Sequence, residues 1–90
     1  MVETEIKIKN KTGLHARPAA IFVETADRFT SEVELVFDGI TVNAKSIIGV
    51  LSLGIGNDDK VTLRITGSDE KEALEKIVEV VNNKFGEAEV

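Results

Sequence analysis

Two stretches of the chain pair a residue able to carry a phosphoryl group with the start of a helix. The first is Gly13-Leu14-His15-Ala16-Arg17-Pro18, and His15 is the only histidine in the 90 residues. An imidazole is a competent nucleophile near neutral pH. Pro18 lacks an N–H and has its φ preset, which suits a first helical turn whose amides have no intrahelical partner. That places His15 at or beside the N-cap, where the free backbone amides, Ala16 among them, and the helix dipole favour an anion. Arg17 adds a permanent cation whose fork of donors matches phosphate oxygens.

The second stretch is Ser46 followed by a short apolar run, Ile47 to Leu53. Ser46 reads as the N-cap of a short helix, and a cap whose side chain reaches helix amides is also a place where phosphate is tolerated. Ile47, Ile48 and Leu51 form an i, i+1, i+4 cluster there. A helix of barely two turns cannot bury every face, so Val50 and Leu53 are expected to pack inward and part of the cluster to stay exposed. Both stretches lie in windows without acid: no Asp or Glu occurs from Ile6 to Val23 or from Gly39 to Asn57. The first window holds Lys7, Lys9, Lys11 and Arg17, the second Lys45. In a chain of net charge -5, an anion meets least repulsion there.

The elements that position these residues follow from periodicity. Val2, Thr4, Ile6 and Ile8 alternate with charged residues, as in a half-buried strand. From Ala16 the period becomes helical, with Ala19, Phe22, Val23, Ala26 and Phe29 on one face. Val33, Leu35 and Phe37 restore the two-residue period, Asp38-Gly39 signals a two-residue hairpin, and Ile40 and Val42 continue the partner strand. Asn57-Asp58-Asp59 is a turn before a fourth strand carrying Val61, Leu63 and Ile65. A last helix opens with a capping-box-like Asp69 and Glu72 and buries Leu74, Ile77, Val78, Val81 and Phe85. Lys84 falls near its end, Gly86 suits the position just past it, and Glu72 and Lys76 are spaced for a weak pair. The order is βαββαβα, one domain over residues 1–90. An open antiparallel sheet with helices on one side, an α+β fold, accommodates it.

Composition narrows the function. An apolar fraction of 42% fills a core for a chain of this length, and 30% charged residues cover it. The acidic balance and the absence of Trp and Tyr argue against a nucleic-acid binder. Without cysteine and with one histidine, a metal site is not expected, nor is a disulfide. No signal peptide or membrane span is visible, so a cytoplasmic protein is expected. A hydrolase built on His15 and a serine lacks a third group placed to orient the imidazole.

At the His15 hexapeptide, and again through Asn43-Ala44-Lys45-Ser46-Ile47-Ile48-Gly49-Val50-Leu51-Ser52-Leu53-Gly54, the sequence resembles the HPr family, the histidine-containing phosphocarriers of the bacterial phosphoenolpyruvate:sugar phosphotransferase system. The resemblance implies an open-faced β-sandwich with a four-stranded antiparallel sheet covered on one face by three helices. It implies a carrier and not an enzyme: Enzyme I, charged from phosphoenolpyruvate, passes a phosphoryl group to His15, which hands it to the IIA units of sugar permeases. Arg17 then matches the phosphate-contacting arginine, Pro18 the helix-start proline, and the Ala16 amide belongs to the same site. Ser46 matches a regulatory serine phosphorylated from ATP by HPr kinase/phosphorylase, after which a catabolite-control transcription regulator binds. Ile47, Ile48 and Leu51 match the partner-binding patch, although Ile48 and Leu51 stand where many relatives carry methionine. The resemblance implies no cofactor or metal, and a monomer is expected. Which sugars and IIA units are served stays open.

Overall fold

The structure, a computed structural model, describes residues 1–86. Its elements are β1 (Val2–Lys7), α1 (Ala16–Asp27), β2 (Glu32–Phe37), β3 (Ile40–Asn43), α2 (Ile47–Ser52), β4 (Lys60–Thr66) and α3 (Glu70–Asn82), with a 3-10 turn over Lys84–Gly86. The strands form one sheet in the order β1-β4-β2-β3, each neighbouring pair antiparallel. Register sorts the side chains by face. Val2, Ile65 and Val33 lie across from one another, as do Thr4, Leu63 and Leu35, and these rows face inward. Ala19, Phe22 and Ala26 of α1, Val50 of α2 and Ala73, Ile77 and Val81 of α3 close over them in a single core. This is the open-faced sandwich expected from the sequence.

The opposite face is wet. Arg64, on a central strand, sits between Glu3 and Glu34 at 2.9 and 3.8 Å. Such exposed pairs contribute about 0–1 kcal/mol each, so the sheet is held by its buried rows. The β2–β3 hairpin turns on Asp38 and Gly39, both at positive φ (51° and 76°), the backbone a twisted two-residue hairpin requires.

Helix ends differ from the sequence expectation because tertiary contacts compete with local ones. α1 stops at Asp27, so Phe29 lies beyond it and packs half-buried from the following loop. At α3 the anticipated capping box does not form. Asp69 is the N-cap by position, but its carboxylate accepts from the Thr30 and Ser31 amides, both at 2.9 Å, and from the Ser31 hydroxyl. Glu70 reaches back instead, accepting from the Gly67 amide at 3.1 Å. Lys76 pairs with Glu79 at 3.4 Å, not with Glu72. The buried stripe runs through Ala73, Ile77 and Val81, while Leu74 and Val78 are only partly covered. α3 ends at Asn82, earlier than expected, and Lys84 and Phe85 adopt left-handed backbone (φ 55° and 56°). That reversal turns the buried Phe85 ring toward Phe22, with centroids 6.4 Å apart.

The donors around Asp69, the Ser31 hydroxyl foremost, hold its carboxyl at about 2, below the ordinary 3.8. A carboxyl group depressed by folding stabilises the folded state above its unfolded value, and that stabilisation is lost as pH falls through the folded one. The stability gap between the native chain and Asp69→Asn is therefore expected to shrink as pH falls from about 4 to about 2. Denaturant midpoints across that range measure it; a constant gap would show that the carboxylate charge stabilises nothing.

Candidate functional site

The site grows from the loop between β1 and α1. Leu14, 2% exposed, is anchored in the core, and its amide donates to the Ile55 carbonyl at 3.0 Å. Pro18 and Ala19 are buried at the first turn of α1. Between these anchors His15, Ala16 and Arg17 stand exposed. His15 is the N-cap of α1 with extended backbone (φ −127°, ψ 152°), and its side chain makes no capping hydrogen bond. The sequence placed it correctly, but the ring does not spend itself on the helix end.

Two backbone features of this loop shape the site. Gly13 has φ 67°, and a Cβ there would lie 2.7 Å from Gly56 Cα, so backbone packs directly on backbone. Glycine is the residue that tolerates both conditions. Ala16 sits at φ 44°, a left-handed conformation that costs a non-glycine residue on the order of 1–3 kcal/mol and persists only where surroundings over-determine it. Nothing in the sequence announces this strain, because alanine is not among the residues enriched in that region.

Among the described residues, Arg17, Lys9 and Lys11 make no ion pair, whereas Lys7 reaches Asp58 at 3.8 Å. The acid-free window thus leaves three uncompensated cations within nine residues of chain. The second window differs. Lys45 Nζ donates to the Phe29 carbonyl at 2.7 Å, so this lysine is tied down beyond the end of α1 and is not the open cation the sequence suggested. A cavity of about 290 Å³ beside it is lined by Glu32 and Glu34 as well and does not include His15.

Ser46 is the N-cap of α2, and its Oγ accepts from the Gly49 amide at 3.1 Å. Beyond it Ile47, Ile48 and Leu51 are 38, 78 and 39% exposed, while Val50 is buried and Leu53 nearly so. The short helix therefore divides as anticipated, with an inward face and an apolar outer one. α2 packs against α1, and the Leu14–Ile55 bond joins the residue before His15 to the segment just after α2. An exposed imidazole next to helix amides, an uncompensated guanidinium and an apolar patch suits exchange of an anionic group with a macromolecular partner. It does not suit enclosure of a small substrate.

A family model described as the PTS HPr component phosphorylation site matches residues 2–83. The chain belongs to the HPr family of phosphocarrier proteins. The HPr-like protein Crh of Halalkalibacterium halodurans is 50% identical over 84 residues, spanning 93% of this chain and all of the relative. HPr-C-His from Thermoanaerobacter tengcongensis superposes with a TM-score of 0.96 at 50% identity, covering 99% of this chain and all of that one. Crh of Bacillus subtilis, solved as a domain-swapped, intertwined dimer, matches with a TM-score of 0.74 at 51% identity over 93% of this chain and 97% of that one. HPr-family membership therefore does not carry the monomer expected from the sequence. Among the described residues no helix is long and apolar enough to cross a membrane.

Proposed function

We propose that this HPr-family chain carries a phosphoryl group on His15 in the cytoplasm, taking it from Enzyme I charged by phosphoenolpyruvate and delivering it to the IIA units of sugar permeases. The observation that carries this reading is the exposed imidazole at the N-cap of α1, which makes no capping hydrogen bond. The ring Nδ1 attacks phosphorus as the bond to the donor breaks, and the reverse exchange unloads the group. The Ala16 amide and the Arg17 guanidinium stabilise the phosphoryl oxygens; Pro18 fixes where the helix begins. Ile47, Ile48 and Leu51 dock the partner proteins. The carrier needs no cofactor or metal, because it turns over no small molecule.

Ser46 serves a second, regulatory role: phosphorylated from ATP by HPr kinase/phosphorylase, it makes the chain a ligand of a catabolite-control transcription regulator. Its Oγ already faces helix amides, so added negative charge there is compatible with α2. The similarity to proteins named Crh favours a rival in which Ser46 alone is used. The histidine at position 15, on which the carrier chemistry depends, speaks against it.

One mass-spectrometric experiment separates these readings. Incubation with phosphoenolpyruvate and Enzyme I is expected to add one acid-labile phosphoryl group, and incubation with ATP and the serine kinase one acid-stable group at Ser46. An acid-stable adduct or none in the first arm removes the carrier role; no adduct in the second removes the regulatory one.

A further inference from the structure

No pattern along the chain singles out Asn10 or Asn57, yet the structure commits both carboxamides to the segment that delivers His15. Asn10 is 1% exposed. Its Nδ2 donates forward to Thr12 Oγ1 at 3.2 Å and to the Gly13 carbonyl at 2.8 Å. The Gly13 amide donates back to the Asn10 carbonyl at 3.2 Å, closing the turn from the other side. Asn57 approaches from the loop before β4, its Nδ2 donating to the Lys9 carbonyl at 3.2 Å and the Asn10 carbonyl at 3.0 Å. Both lone pairs of the Asn10 carbonyl are thereby engaged.

The Asn10 Oδ1 accepts no hydrogen bond from any described residue although it is buried. Buried polar atoms are ordinarily paired, so a side chain whose acceptor goes unmet is held there by its donors. On the far side of His15, Ala16 keeps a left-handed φ that only an over-determined neighbourhood sustains. The carboxamides supply such a neighbourhood from the β1 side, and the buried Pro18 and Ala19 supply it from the helix side.

We infer that Asn10 and Asn57 are positioning residues for His15: their carboxamide donors fix the Lys9–Leu14 loop, and with it the direction in which the imidazole is presented. This deepens the carrier reading, on which its kinetic consequence rests. Misplacement of a reacting group by about 1 Å can cost up to a hundredfold in rate. The docking patch on α2 is untouched by either side chain, so the loss falls on kcat and not on KM.

The test uses the full chain with Asn57→Ala, whose side chain lies at the surface, and Asn10→Asp, which keeps the shape and removes the donors. Backbone relaxation is expected to show the Gly13–Ala16 amides falling from rigid order parameters, about 0.85, to about 0.6 or below, with β4 and α3 unchanged. Transfer from Enzyme I is expected to lose about tenfold to a hundredfold in kcat at an unaltered KM. The double variant should lose no more than the worse single one, since both act on one loop. Unchanged order parameters overturn the inference. So does a loosened loop with full kcat, or a rise confined to KM. If the native chain takes no phosphoryl group, the carrier reading fails by itself, and the relaxation result still decides whether the two carboxamides hold the loop.

Discussion

His15→Ala is expected to take up no phosphoryl group from phosphoenolpyruvate and Enzyme I while keeping its fold and its phosphorylation at Ser46. The chain has no other imidazole to substitute. Stability should hardly change, because the side chain makes no capping hydrogen bond and stands exposed. Even a bonded cap residue contributes only about 0.5–2 kcal/mol. Intact mass after transfer, with a denaturant melt of the same sample, measures both halves. Residual acid-labile phosphate would place the acceptor elsewhere, and destabilisation beyond about 2 kcal/mol would reveal a structural role for the ring.

Arg17→Ala should slow transfer more than Lys11→Ala does. Both cations are exposed, and neither has an ion-pair partner among the described residues. Position separates them: Arg17 lies within the first turn of α1, two residues past His15, while Lys11 lies on the loop before it. A charge-assisted contact worth roughly 1.5–3 kcal/mol corresponds to about a tenfold to hundredfold change in rate. Arg17→Lys keeps the charge but loses the planar fork, and should fall between. Single-turnover kinetics of the three variants decide it. Equal, small effects from all would mean that the basic stretch acts only as a diffuse field.

Most of the fold was legible in the sequence because each strand buries one face. The alternation of Val61, Leu63 and Ile65 shows it, and the helical spacing of Ala19, Phe22 and Ala26 is equally direct. The candidate site was legible for a different reason: Pro18 and Ser46 suit a helix start by residue type, Pro18 thereby places His15, and helix starts are local. What stayed hidden depends on partners distant in sequence. Asp69 looked like a local cap, but it meets Thr30 and Ser31, 39 and 38 residues away. Lys45 looked like an open cation until the Phe29 carbonyl claimed it. Asn57 reaches back 47 residues to Asn10, and no pattern along the chain marks either of them. The left-handed Ala16 escaped notice because residue type carries no trace of strain imposed from both sides.

The bond from Leu14 to Ile55 and the contact of Gly13 with Gly56 have a bearing on how quickly the chain can change partners. They tie the His15 loop to the segment leaving α2. A protein that grips the apolar face of α2 finds the imidazole already at a fixed offset, with no segment left to order on arrival. Transfer then follows docking without a further ordering step, so the fixed loop acts on the chemical step and not on the grip. On the proposed carrier role, speed of exchange and tightness of hold are thereby uncoupled, and one chain can serve several partners through brief, weak encounters.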